Sequence, residues 1–285
     1  MQEDVSPWPQ RIGILGVGLL GGSAALALRR RCPQTEFVGL TRSTTTAKRL
    51  IEAGIVDRAS QSVDEVCHGC DAVIAATPVD RIASLVVRAA EITGADCLIT
   101  DVGSTKAKIV NAIAEHPQAE IKFVGAHPIA GSEKTGAEHA TADLMDGKPI
   151  ILTPSPRTPP EQLQRAVRFW ELTGGTIKQM SAQEHDTHLA SVSHVPHLVS
   201  ALVAKLPAHD ARPLVGSGWQ DITRVAAGDP EMWTAICQEN REAIIDELER
   251  FSKELDQLRQ LLGRPDSDQL TAWLAEAKQL KHQSM

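Results

Sequence analysis

Four short stretches of this chain place side chains where chemistry is done. His127 and Pro128 open residues 127–136, HPIAGSEKTG, a polar, glycine-containing stretch without helical or strand periodicity. An imidazole titrates near neutrality, so His127 is a candidate general base. Residues 101–106, DVGSTK, present Ser104 at a turn that Gly103 permits. Its hydroxyl either caps the next helix or faces a ligand. Residues 181–206, SAQEHDTHLASVSHVPHLVSALVAKL, carry four histidines as two i, i+3 pairs, His185 with His188 and His194 with His197. Each pair is placed to share a helix face. No carboxylate or cysteine set nearby completes a coordination pattern, so no metal site is assigned. Pro196 should kink this helix, which favours His194 or His197 facing a ligand. In residues 216–233, GSGWQDITRVAAGDPEMW, Asp221 and Arg224 stand i, i+3. They are either a weak surface pair or, for Arg224, a fork for a substrate carboxylate.

These groups need a frame, and residues 11–23, RIGILGVGLLGGS, supply its first piece. An apolar run leads into Gly16, Gly18 and Gly21, spaced G-x-G-x-x-G with Leu19 and Leu20 between the last two, and an Ala/Leu-rich stretch follows. That order reads strand, tight turn, helix, and it fits a dinucleotide whose pyrophosphate sits on the helix N-terminus. A glycine turn serving only packing is the plainer alternative. The second strand, residues 37–41, ends in Thr41, Arg42 and Ser43, with no acidic residue for a ribose 2′-hydroxyl. Arg42 and the hydroxyls suit a 2′-phosphate, so NADP is expected over NAD, unless Arg42 is a solvated loop charge.

Further strands are expected at 71–77 (DAVIAAT, with Pro78 opening the next helix), 98–102, 122–126, 148–153 and 176–180, with helical stretches between most of them. Alternation of this kind predicts a parallel, doubly wound sheet, with ligands beyond the carboxyl ends of its strands, where Thr77, Pro78, Ser104 and His127 fall. After residue 180 helical periodicity takes over. The expected architecture is therefore α/β: a Rossmann-like dinucleotide-binding domain at 1–180 and an all-α domain at 181–285. Residues 234–262 read as one long helix and 269–280 as another. Their apolar stripes call for a partner helix, hence a homodimer.

The 285 residues carry a formal net charge of −7, which gives no basic surface for nucleic acid or an anionic membrane. No apolar run approaches the roughly 20 residues needed to span a bilayer. The polar, acidic first ten residues are read as a loose lead-in rather than a secretory signal. The five scattered cysteines are no disulfide framework, and Cys67-x-x-Cys70 is read as incidental rather than a redox or metal pair. A cytoplasmic protein is expected. The absence of tyrosine excludes dehydrogenase mechanisms that need a tyrosine acid.

Taken together, GVGLLGG, DVGSTKAK, HPIAGSEKTG, KPIILTP, EHD, SHVPH, DITR and DPEMW resemble the prephenate and arogenate dehydrogenases of tyrosine biosynthesis, in that family's order over residues 11–240. The resemblance implies oxidative decarboxylation of a cyclohexadienol with hydride transfer to NAD(P). It implies that His127 accepts the proton of the ring hydroxyl and that Ser104 hydrogen-bonds that hydroxyl. It also implies that His197, with His194 near it, lines the substrate pocket and that Arg224 holds the ring carboxylate. Some relatives carry Lys where this chain has Gln220, and a neutral amide there tolerates the amino acid side chain of arogenate. Other two-domain reductases, such as β-hydroxyacid dehydrogenases, share the glycine fingerprint but have no need of HPIAG with SHVPH. A nucleotide-sensing protein without catalysis would show no turnover at all.

Overall fold

The computed structural model describes residues 8–131, 134–265 and 267–283; most of the expected lead-in, and Ser132 and Glu133 of the polar loop, lie outside these. The glycine-loop segment forms β1 (Arg11–Leu15) and α1 (Leu19–Arg31), followed by β2 (Glu36–Leu40) and α2 (Thr44–Glu52). A short β3 (Arg58–Ser60) and α3 (Val63–Cys67), neither expected from periodicity, lead to β4 (Ala72–Ala75) and α4 (Val79–Ile92). Then come β5 (Leu98–Asp101), α5 (Ala107–Ala114), the one-turn α6 (Pro117–Glu120) and β6 (Phe123–Pro128). The first half closes with β7 (Pro149–Thr153), α7 (Pro160–Glu171) and β8 (Thr176–Gln179).

The eight strands lie in one sheet in the order β3-β2-β1-β4-β5-β6-β7-β8. β1 pairs with both β2 and β4, so the winding direction reverses there and opens a crevice beyond the carboxyl ends of β1 and β4. The strands from β3 to β6 are parallel, but the expectation of an all-parallel sheet fails at β7, which runs antiparallel to β6. The described part of the connection between them holds only a 3₁₀ turn (Ala137–His139) and no crossover helix. A parallel return needs such a crossover. α7 then supplies one, so β8 is parallel to β7. Both faces of the sheet are covered by apolar side chains, which is why its central strands read as continuous apolar runs.

The helical half opens with α8 (Ala182–Leu189), whose capping box of Ser181 and Glu184 forms as its residue types predict. The kink expected from Pro196 takes the form of a π-helical segment (Ala190–His194) directly before α9 (Val195–Lys205). Proline has no N–H to give the preceding turn, and the wider turn accommodates that loss. α10 (Ser217–Thr223) runs into a 3₁₀ turn (Arg224–Ala227). The single long helix expected at 234–262 is instead two, α11 (Pro230–Glu239) and α12 (Arg241–Leu262), broken at Asn240. The buried Asn240 amide turns inward to donate to the Asp186 carbonyl oxygen at 2.7 Å, and its backbone leaves the helical region. α13 (Asp268–Gln283) ends the described chain. Among the described residues no helix is long and apolar enough to cross a membrane.

Candidate active site

The glycine loop has the shape a pyrophosphate needs. Gly16 sits at φ +101°, and a Cβ there would lie 2.5 Å from the Ala76 carbonyl oxygen. A Cβ on Gly21 would strike the Gly16 carbonyl oxygen and Ala76 Cβ, so α1 crosses β1 and β4 only because this position is bare. A Cβ on Gly18 would meet nothing within 4 Å, so the space beside it is open. α1 starts there with no side-chain cap and no acidic residue in its first turn, leaving its positive end to a ligand. Leu19 and Leu20 are half-buried in that turn. Thr77, with Pro78 capping α4, stands beside Gly16, and its buried hydroxyl oxygen has no partner. An orphaned donor against a bare turn fits a dinucleotide. At the end of β2, Thr41 is buried and Arg42 exposed. The Ser43 hydroxyl accepts from the Thr46 N–H at 3.1 Å as the N-cap of α2, so Arg42 is the cation this turn presents.

Beyond β5 and β6 the site is built on carboxylates. Asp101, at the end of β5, ion-pairs with the Lys106 ammonium; both side chains are fully buried. Its second contacts, from the Gly103 N–H at 2.8 Å and the Ala126 N–H at 2.9 Å, tie the Ser104 turn to the residue before His127. Ser104 does not cap α5. Asp186 does so from the helical half, accepting from the Lys106 N–H and the Ala107 N–H, each at 2.8 Å. The Ser104 hydroxyl is thus not spent on the helix and sits half-buried at the turn.

His127 is buried at the carboxyl end of β6, and its Nδ1 lies 2.8 Å from His185 Nε2. His185 Nδ1 in turn lies 2.7 Å from Asp186 Oδ1. Burial, with His185, Lys106 and His194 nearby, holds the His127 pKa well below its ordinary value. Burial also lowers His185, against the pull of Asp186. Both rings are therefore neutral at pH 7.

His194 and His197, on the π segment and α9, both lie against the Trp233 ring. His194 Nδ1 lies 3.0 Å from the Asn240 amide nitrogen, which puts its proton on Nε2, and that buried nitrogen has no protein partner. Burial pushes its pKa down to about 4. The His197 ring stacks on Trp233 at 3.4 Å and 11°, leaving its buried Nδ1 without a partner. Gly228 closes over this stack: a Cβ there would come within 2.5 Å of Trp233 Nε1 and 3.1 Å of His197 Cε1. Gln220 and Arg224 are exposed, on α10 and the 3₁₀ turn after it, and that turn packs against α9. Of the paired histidines, His185 is buried and His188 exposed, so the first pair does not face one ligand.

The structure thus gathers His127, His194 and His197 and ties the Ser104 turn to them through Asp186. Sequence reasoning assigned no role to His185, Asp186, Lys106, Asn240 or Trp233. The signal available was the adjacent His185–Asp186, a base beside a carboxylate at the start of a helix. Among the described residues no group of three or more His, Cys, Asp or Glu is placed to hold a metal ion. The Cys67 and Cys70 thiols are pushed up to about 12 and about 11 by burial, and Cys70 donates to the Val66 carbonyl oxygen. They are protonated packing groups.

Two family models match the chain: the nucleotide-binding domain of prephenate dehydrogenase over residues 24–179 and its dimerization domain over residues 181–276. The chain is 32% identical to prephenate dehydrogenase of Bacillus subtilis over 273 residues, which are 93% of this chain and 73% of that protein. It is 29% identical over 279 residues to cyclohexadienyl dehydrogenase of Zymomonas mobilis, covering 95% of each. A solved structure of prephenate dehydrogenase from Aquifex aeolicus, with hydroxyphenyl propionate and NAD+, superposes with a TM-score of 0.91 at 33% identity, over 98% of this chain and all of that one. Matched by both domain models in order over most of its length, the chain belongs to the prephenate dehydrogenase family.

Proposed function

We propose that the protein oxidatively decarboxylates prephenate, accepts arogenate as well, prefers NADP to NAD and works as a homodimer. The observation that carries the reading is the neutral, buried His127 at the strand end next to the Ser104 turn. Its Nδ1 is taken by His185, so the lone pair on Nε2 is the one that faces a substrate. Ser104 hydrogen-bonds the substrate's ring hydroxyl and orients it toward that nitrogen. His127 takes the hydroxyl proton. A nicotinamide cofactor held at the Gly16–Gly21 turn would supply the acceptor for the hydride that leaves the hydroxyl-bearing carbon. The bond from the opposite ring carbon to its carboxylate then breaks, carbon dioxide leaves, and the electron pair aromatises the ring and passes to the oxygen. His127 returns its proton to that oxygen, so the base is regenerated and atoms and charge balance.

The remaining side chains bind and orient. Arg224 pairs with the ring carboxylate. His194, through its unpartnered Nε2–H, and His197, pinned by Trp233, line the pocket for the ring. Gln220 presents a neutral amide toward the side chain that distinguishes the two substrates, which supports use of arogenate. Arg42, the exposed cation beyond β2, supports a 2′-phosphate. The match to a dimerization domain supports the dimer.

The test is the initial rate of reduced-cofactor formation with prephenate and with arogenate, each with NAD and with NADP. Turnover of both substrates, faster with NADP, is expected. Turnover of neither removes the reading. NADP no better than NAD removes the role of Arg42, and activity with prephenate alone removes that of Gln220.

A further inference from the structure

The cluster around His127 contains two groups that have no contact with the substrate or the cofactor in the proposed reaction, yet both are buried and hydrogen-bonded. His185 and Asp186 are both buried to about 1% exposure or less. Asp186 accepts from the Lys106 N–H and the Ala107 N–H, and its Oδ1 lies 2.7 Å from His185 Nδ1. A carboxylate held by two backbone N–H groups offers His185 lone pairs and no donor. The proton between it and His185 therefore sits on His185 Nδ1. A neutral His185 then has a bare Nε2, which accepts, so the proton in the 2.8 Å contact with His127 sits on His127 Nδ1. That leaves His127 Nε2 without a proton. The direction of each bond follows from the one before it, and the series begins at a group that has no choice.

We propose that His185 and Asp186 are positioning residues that hold His127 in the tautomer whose Nε2 is a base. The proposal rests on His127 being the base of the reaction above. Without this pair the neutral imidazole would divide between its two tautomers and rotate, and only one form in one orientation accepts a substrate proton. The same Asp186 carboxylate closes the N-terminus of α5, two residues after Ser104. It therefore sets the hydroxyl that orients the substrate and the nitrogen that receives its proton from one point. The charged and titratable groups facing this pair are Lys106, which is ion-paired with Asp101, His194 and Glu239. Among the described residues none of them offers His185 Nδ1 another acceptor.

Two substitutions at one position separate positioning from bulk structure. In His185→Gln the side-chain oxygen falls where Nε2 was and still accepts from His127 Nδ1–H. In His185→Asn the amide nitrogen falls where Nδ1 was and still meets Asp186, but nothing reaches His127. Both variants remove the same imidazole and Asn leaves the larger gap, so a purely structural role predicts a difference in stability and none in kcat between folded variants. The proposal predicts that kcat of His185→Asn falls by about 10²-fold or more, with KM and cofactor Kd near wild type, whereas His185→Gln recovers most of the rate. Equal losses in the two, or a loss confined to KM, overturn it. If wild type itself fails to turn over cyclohexadienyl substrates, it is the reading of the reaction that falls.

A second measurement needs no folded variant at position 185. In wild type labelled with 15N at histidine, the His127 signals, assigned by their loss in His127→Asn, report which ring nitrogen carries the proton. A protonated Nδ1 and bare Nε2 at pH 7 are expected; a protonated Nε2 overturns the proposal.

Discussion

Four imidazoles, those of His127, His185, His194 and His197, are buried in this protein with pKa values below the ordinary histidine value, burial being the first cause in each. A histidine whose folded pKa is lowered binds fewer protons folded than unfolded. Its contribution to stability is complete above the unfolded value, near 6.5, and is lost as pH falls from there toward the folded value. For His194, pushed down to about 4, that loss is on the order of 3 kcal/mol across the interval. Two curves should therefore separate. Thermal stability should decline from pH 6.5 to 5, above the range where carboxylates titrate. The acid limb of kcat/KM, set by His127, should lie well below 6.5. A melting temperature flat over that interval, together with an acid limb at 6.5 or above, would show that these rings are not neutral by burial.

At the scale of elements, the site depends on places where regular structure is interrupted. The π segment before Pro196 and the break at Asn240 bring His194 Nδ1 and the Asn240 amide together, and Gly228 lets the chain close on the Trp233–His197 stack. Gly228 has an ordinary φ of −61°, so its lack of a side chain matters for space alone. Gly228→Ala should raise KM for substrate several-fold by pushing the stack apart, with cofactor Kd unchanged and a stability loss of about 1–3 kcal/mol. Unaltered KM would mean that the stack does not shape the pocket. These interruptions mark what was legible in advance. The glycine turn, most of the strands and the places of His127 and Ser104 at or just beyond strand ends were readable because local patterns specify them. The kink at Pro196 was readable too, though not its π form. Asn240 was not, because the apolar spacing of residues 234–262 continues through it and the pull on its amide comes from Asp186, distant in sequence. The direction of β7 depends on whether a crossover helix precedes it, and apolar runs alone carry no direction. Ser104 was readable as a cap or as a ligand group, and it is Asp186, from the helical half, that takes the place of the cap.

Across the whole molecule, the two halves differ in how they hide apolar surface. The sheet buries its own on both faces, whereas α12 and α13 leave Phe251, Leu255, Leu262 and Leu274 exposed at 40% or more. Surfaces of this kind mark association. Wild type should sediment as a dimer, and Phe251→Asp with Leu255→Asp should shift it to monomer at micromolar concentration; a wild-type monomer would show that this surface has another use. The bond from Asp186 to the start of α5 has a consequence for exchanging parts between relatives. A nucleotide-binding half joined to a foreign helical half would keep its glycine loop and its affinity for cofactor. It would lose the chemical state of its own base unless the donor brought a carboxylate to the same spot. With His127 as the proposed base, cofactor choice should be portable with the first half alone, while the competence of His127 should be inherited only with the second.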